Sequence, residues 1–170
     1  MGIFRRLKNL KSQKTGPEIE KRTLMNLRVG DMVTYELEDF EVVGKIIFND
    51  HGFQWFEYQL ENPDHTLWLS VELDDELELG VYHKVKHTFT EPIPHRIEYD
   101  GIVYTLDEKG TANVSGQGRN NNLSGQMVRY FDFCDDEEEA FLSIEIWGGE
   151  IEASQGHIAH DYDFNIIAGS

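Results

Sequence analysis

Apolar and polar residues alternate along most of the chain after residue 27. Residues 32–37, 40–48, 53–61 and 66–73 each carry this alternation, and stretches rich in Asn, Asp and Gly separate them. A period of two sends successive side chains to opposite faces of a strand, and closely spaced turns are typical of antiparallel sheets. The first half of the chain is therefore predicted to be an antiparallel β unit.

The second half repeats this pattern. Lys109 and Gly110 are predicted to form a turn between two of its strands, and residues 116–124 lack apolar periodicity, which predicts a mobile, exposed loop. The predicted strands of this half are residues 96–99, 102–106, 111–115, 127–133, 140–147, 150–153 and 162–167.

Two similar pentapeptides indicate an internal duplication. Residues 68–72 (WLSVE) match residues 141–145 (FLSIE), and each lies in a predicted hairpin with an acidic tip. Because sheets reuse few residue types, chance similarity remains an alternative. A duplication predicts two related antiparallel units, residues 27–90 and 91–170, packed as a sandwich or a partly open barrel and together forming one compact domain.

Residues 1–26 have a different pattern. Apolar residues at positions 3, 4, 7 and 10 share one face of a helix, and basic residues lie largely elsewhere. This predicts a short basic amphipathic helix, which either packs as a terminal helix or makes weak contact with an anionic membrane. The side chains predicted to contact a membrane or a partner are Phe4, Arg5, Arg6, Leu7, Lys8 and Lys11.

Charge is distributed unevenly along the chain, whose formal net charge is −17. Residues 1–30 carry +6, from eight basic and two acidic residues, whereas the rest carries −23, from seven basic and thirty acidic residues. A region with this much negative charge repels phosphate backbones, and this excludes direct nucleic-acid binding by the folded part. The acidic surface serves either solubility or the docking of a basic partner, including as a mimic of nucleic acid.

The chain offers few candidate groups for chemistry. Its single cysteine, Cys134, forms no internal disulfide and indicates a cytoplasmic protein, and the acids beside it are expected to raise the pKa of the thiol. His157, His160, Asp161 and Asp163 are candidate metal ligands, but a polar turn explains them better because strand geometry points the two histidines apart. No nucleophile, phosphate or dinucleotide motif is found, so neither cofactor nor metal is predicted.

Aromatic residues occupy both faces of the strand at residues 53–60, which is consistent either with core packing on both sides or with a stacking surface. In the second interpretation, Trp55, Glu57 and Trp68 line a groove between the two halves.

The stretches 42–44, 52–60 and 67–69, together with 97–104, 114–116 and 142–147, resemble a bacterial family called DUF4178, a domain of unknown function, over residues 27–167. The most specific part is the pattern Trp55-Phe56-Glu57-Tyr58-Gln59-Leu60. The resemblance implies a bacterial cytoplasmic β protein without established catalytic residues, often encoded near membrane-stress proteins.

These observations favour a non-enzymatic protein-interaction module that acts in the cytoplasm or at the inner face of the membrane, in envelope stress. The alternatives are a small-ligand-binding protein or enzyme with its site between the two halves, and an acidic mimic of nucleic acid.

Overall fold

A computed structural model of the chain describes residues 20–167, which form an antiparallel sheet of eleven strands. Two short 3₁₀ turns, Asn121–Leu123 and Asp161–Asp163, interrupt the strands. The strands are β1 (Met32–Tyr35), β2 (Glu38–Asp50), β3 (Phe53–Glu61), β4 (Thr66–Leu73), β5 (Leu77–Lys84), β6 (Arg96–Tyr99), β7 (Ile102–Gly118), β8 (Met127–Cys134), β9 (Ala140–Trp147), β10 (Glu150–Ala159) and β11 (Phe164–Ile167).

Eight of these strands close into a barrel in the order β2-β3-β4-β5-β10-β9-β8-β7, and β7 pairs with β2. The closing ladder joins residues 44–49 to residues 113–118. The prediction of a mainly β, antiparallel fold is confirmed, but the sandwich is wrong and the barrel is closed rather than partly open. Closure is achieved because β2 and β7, with 13 and 17 residues, are long enough to pair with each other and with their hairpin neighbours.

The predicted turn at Lys109 and Gly110 is also wrong, since both residues lie inside the continuous strand β7. A Cβ atom at Gly110 would come 2.6 Å from the Tyr130 hydroxyl and 2.5 Å from the Asp50 carboxylate. The glycine therefore provides space for the hydrogen bond from the Tyr130 hydroxyl to Asp50, which is 2.6 Å long. Sequence alone cannot distinguish such a close approach from a turn.

The loop predicted at residues 116–124 is not an exposed loop throughout. Strand β7 continues to Gly118, and Asn120 is only 7% exposed. Its backbone lies so close to Gly116 that a Cβ atom there would overlap it, and its side chain donates a hydrogen bond to Gln59 that is 3.3 Å long. This connection therefore packs against the barrel.

Three other predictions concern the ends of elements. The amphipathic helix and its six contact residues lie outside the described residues. The predicted last strand at 162–167 is shorter, because a 3₁₀ turn occupies Asp161–Asp163 and β11 begins at Phe164. Strand β10 continues to Ala159, beyond the predicted end at residue 153, because it pairs with β9 on one side and β5 on the other. No helix within residues 20–167 is long and apolar enough to cross a membrane.

Most of the buried apolar residues lie on the outside of the barrel wall, in two clusters. β1, β11 and the segment before β1 cover the outer face of β3, β4 and β5, whereas β6 and residues 85–93 cover that of β8, β9 and β10. The first outer cluster comprises Leu24, Leu27, Val33, Tyr35, Phe40, Val42, Tyr58, Leu60, Leu69, Val71, Leu79, Val81 and Ala159. The second outer cluster comprises Ile97, Tyr104, Phe133, Leu142, Ile144 and Ala153.

The two matching pentapeptides lie on β4 and β9, each the third strand of a four-stranded meander, β2–β5 or β7–β10. The meanders meet along two ladders, β2 with β7 and β5 with β10, so both contribute to one barrel. The predicted boundary at residue 90 falls between β5 and β6. Duplication itself stays a prediction.

Candidate functional site

The barrel encloses a cavity of about 500 Å³. Every second residue of the surrounding strands faces it, because side chains alternate across a strand. Trp55, Glu57 and Trp68, the three residues predicted to line a groove, all line this cavity. An inner apolar cluster fills the barrel beside it and comprises Ile46, Phe48, Ala112, Val114, Val128 and Tyr130.

Carboxyl groups line the cavity on several strands. Glu57 on β3 is directly opposite Ser70 on β4, and Asp132 on β8 is directly opposite Ser143 on β9. Each meander thus directs a serine and two acidic residues inward from the same pair of strands, with Glu72 on β4 and Glu145 on β9 as the second acids. The Ser143 hydroxyl donates a hydrogen bond of 2.8 Å to Asp132, whereas no described residue donates a hydrogen bond to Glu57.

Glu57 and Glu145 lie on walls that face each other, because the barrel order places β3 opposite β9. Glu57 is half-buried, and the cavity leaves part of its side chain accessible to water. Glu145 is only 8% exposed and accepts a hydrogen bond of 2.9 Å from the Trp147 indole nitrogen. Two carboxyl groups are therefore held in the same interior region of the barrel.

Burial shifts the ionisation of these acids. It raises the pKa of Glu57 well above the ordinary value of 4.5, and the charge of Glu145 raises it further. Burial likewise raises the pKa of Asp132 to about 7, against the lowering effect of the Ser143 hydrogen bond. The pKa of Glu72 is also raised to about 7, first by burial and then by the neighbouring charge of Glu78. Near neutral pH the cavity thus holds acids that exchange protons readily.

Among the lysines and arginines of residues 20–167, Lys84 alone lines the cavity. Its ammonium group lies 3.0 Å from a Glu152 carboxylate oxygen and 5.1 Å from the centre of the Trp68 ring. Burial by itself would lower the pKa of Lys84, but the carboxylates of Glu145, Glu152 and Glu57 together raise it. One cation is thus shared among several acids, and the cavity keeps an excess of acidic groups.

Aromatic side chains form other parts of the wall. Trp55 stacks on Phe48 with ring centres 5.0 Å apart and meets Tyr130 edge-on at 5.1 Å. Tyr82 lies against two glycines, since a Cβ atom at Gly80 would come 2.7 Å from its ring and one at Gly156 2.5 Å from it. The glycines allow this ring to lie flat on the wall instead of filling the cavity.

Exposed acids of two hairpin tips stand at one margin of the cavity. Glu76 and Glu138 belong to the acidic tips predicted from sequence at residues 74–76 and 135–139, and Glu78 follows in strand β5. Asp107 and Glu108 follow at the irregularity of β7. A charged molecule approaching this margin meets an acidic surface before it meets the carboxyl groups inside.

Of the remaining candidate residues, Cys134 and His160 also line the cavity, whereas His157 does not. Burial, followed by nearby acids of which Asp107 is the strongest, raises the pKa of the Cys134 thiol, in the direction expected from sequence. The Nε2 atom of His157 lies 2.9 Å from the Tyr35 hydroxyl, whereas His160 begins the 3₁₀ turn and bonds with Asp163. Among residues 20–167 no three metal-binding side chains are grouped to hold an ion.

Sequence reasoning missed Glu72, Tyr82, Lys84, Asp132 and Glu145 as cavity residues. One signal was available: Glu72 and Glu145 end the two matching pentapeptides, and in each the serine two residues earlier faces the same side. Acids and serines that alternate with Leu and Val or Ile on one strand indicate that one face of the strand is polar.

A family model described as "Domain of unknown function (DUF4178)" matches residues 28–159. Uncharacterized proteins of Mycobacterium bovis and Mycobacterium tuberculosis are 29% identical over 127 residues, which is 72% of this chain. The match spans only 61% of the length of these relatives. No solved structure matches at a significant level. The chain therefore belongs to the DUF4178 family, as the resemblance of its Trp55–Leu60 stretch implied.

Proposed function

We propose that this protein is a non-enzymatic binding protein for a small molecule, which it holds inside the barrel. The observation that carries the proposal is the cavity of about 500 Å³, whose size lies within the range of small-ligand sites and whose wall combines aromatic rings with converging polar groups.

The free-energy cost of placing carboxyl groups inside the barrel supports the proposal. Carboxyl groups that line the interior of a barrel oppose folding, and an apolar filling would stabilise the fold better. Glu57 has no hydrogen-bond partner among the described residues, and its burial raises its pKa. A ligand that bonds to the Glu57 carboxyl group would offset this cost.

The experiment fills the cavity. Ser70→Trp and Ser143→Trp each place a large ring inside the barrel, and Ser115→Trp makes the same change on an exposed position of β7 outside the cavity. Each protein is purified from a bacterial cell, checked for folding by circular dichroism, and its extracted small molecules are compared by mass spectrometry. We expect a molecule that accompanies the wild type and Ser115→Trp but neither cavity variant. Identical extracts from all folded proteins, with nothing retained, would refute the proposal.

The other functional interpretations stay predictions. They are the protein-interaction module, the membrane contact through the N-terminal segment, the cytoplasmic location, the enzyme with a site between the halves, and the mimic of nucleic acid. The acids around the cavity mouth are compatible with a basic partner, but the segment predicted to reach the membrane lies outside residues 20–167.

A further inference from the structure

We infer that the ligand is an organic cation, an amine or quaternary ammonium group on an apolar body, bound between the carboxyl groups and the aromatic rings of the cavity. This inference rests on the proposed function and specifies the chemical class of the ligand.

The balance of charge is the first argument. Glu57, Asp132 and Glu145 reach the cavity from different strands, and Lys84, the cation on the wall, already pairs with Glu152. An anionic ligand would meet repulsion from these groups when they are ionised, and a neutral ligand would leave the carboxylates with Lys84 as their counter-charge. A cation compensates them, because a buried charge is tolerated when an opposite charge accompanies it.

The composition of the wall distinguishes an organic cation from a metal ion. A bare ion needs several oxygen or nitrogen ligands at roughly 2 to 2.6 Å, and no such group of three exists among the described residues. The cavity is also far larger than an ion. Its aromatic rings Trp55, Trp68 and Tyr82 suit an apolar body and attract an ammonium group through their faces.

The ring of Trp68 already shows this preference, since it receives the Lys84 ammonium group at 5.1 Å. We place the ligand cation beside Glu57, which has no hydrogen-bond partner among residues 20–167, and within reach of Glu145 on the facing wall. The apolar body then lies along the tryptophan rings. The exposed acids Glu76 and Glu138 attract the cation to the entrance.

The experiment compares probes that differ only in charge: hexylamine, 1-hexanol and hexanoate, with magnesium chloride as an inorganic cation. Binding to the full chain is measured by calorimetry at pH 8, for the wild type, Glu57→Gln and the control Glu150→Gln, which makes the same change at an exposed position outside the cavity. We expect hexylamine to bind at least tenfold more tightly than hexanol, and hexanoate not to bind. Glu57→Gln should weaken hexylamine at least tenfold, whereas Glu150→Gln should leave its affinity unchanged.

The outcomes separate the two proposals. Preference for hexanol or hexanoate, lost in Ser70→Trp, would refute the cationic class and leave the ligand-binding function intact. Binding of magnesium in preference to hexylamine would also overturn the organic cation. If no probe binds and the wild type carries no small molecule that the cavity variants lack, both proposals fail.

Discussion

The two sides of the barrel wall differ in their chemistry. The outer faces carry the two outer clusters, where Leu69, Leu142 and Ile144 have no exposed surface. On the same strands the inward residues include Ser70, Ser143 and Glu145. In β4 and β9, consecutive residues thus pass from an apolar core to an acidic cavity.

This difference implies that the outer face of the wall supplies most of the stability, whereas the inner face is available for binding. The extra strands β1, β11 and β6 and the segments beside them allow the wall to bury its apolar residues outside the barrel, where burial contributes roughly 25 cal/mol per Å². Because this outer burial stabilises the fold, the interior of the barrel can contain polar groups whose burial opposes folding. The following predictions test this division, from the largest expected effect to the smallest.

Truncation on the outer side should cost most. Leu69→Ala removes a side chain that is 0% exposed in the first outer cluster, and we expect a loss of about 2 to 5 kcal/mol in the free energy of unfolding. Ser70→Ala, one residue along the strand but facing the cavity, should cost less than about 1 kcal/mol. Urea titration of both variants measures the difference. Equal losses would contradict the division between the two faces.

Removal of a buried charge should stabilise the ligand-free protein. At pH 8, Glu57→Gln relieves the cost of ionising a carboxyl group that burial and Glu145 both disfavour, and we expect a gain of about 1 to 3 kcal/mol. Glu150→Gln is exposed and should stay within about 0.5 kcal/mol of the wild type. Thermal and urea unfolding would report the change. A destabilised Glu57→Gln would show that Glu57 supports the fold.

The ligand-free protein should lose stability as the pH rises through neutrality. Burial raises the pKa of Glu72 and Asp132 to about 7 in the folded state, above the ordinary values of 4.5 and 3.8. Between these values the folded state holds protons that the unfolded chain has released, so the stability that these two groups contribute is greatest at low pH and is lost as the folded groups ionise. We expect a decrease of about 1 to 2 kcal/mol between about pH 6 and pH 8.

The control for this pH dependence is Asp132→Asn, which removes one of the two groups and should reduce the slope. The same ionisation should strengthen cation binding, because an ionised carboxylate attracts an ammonium group and a protonated one does not. The affinity for hexylamine is therefore expected to rise over the pH range in which stability falls. A slope unchanged in Asp132→Asn would exclude this carboxyl group as its source.

The smallest effect should follow from crowding the cavity wall. In Gly80→Ala the new methyl group meets the Tyr82 ring at 2.7 Å and displaces it, at a cost of about 1 kcal/mol. The same substitution in a Tyr82→Ala background should cost almost nothing beyond Tyr82→Ala itself. Unfolding of the four proteins forms a double-mutant cycle, in which additive effects would show that Gly80 and Tyr82 do not interact.

Local pattern predicted the elements better than their arrangement. The strands predicted at residues 96–99 and 102–106 leave a turn at Asp100 and Gly101, and the structure has it, because both residues adopt positive φ, 52° and 76°, a conformation to which Asp and Gly are suited. Gly110 was misassigned because its function is to make room for Tyr130, which lies 20 residues away in sequence. The aromatic and acidic character of Trp55, Glu57 and Trp68 predicts a groove, but nothing local indicates that the groove lies inside a barrel.

The sequence by itself determined the antiparallel β character, the family and the acidic hairpin tips, because these follow from alternation, composition and motif within short stretches. Only the tertiary structure decided that β2 pairs with β7 and β5 with β10, and hence which face of each strand is enclosed. Alternation states that a strand has two different faces, but not which of them lies inside. That choice depends on distant segments, here β1, β6 and β11, that cover the apolar face and leave the acidic one around the cavity.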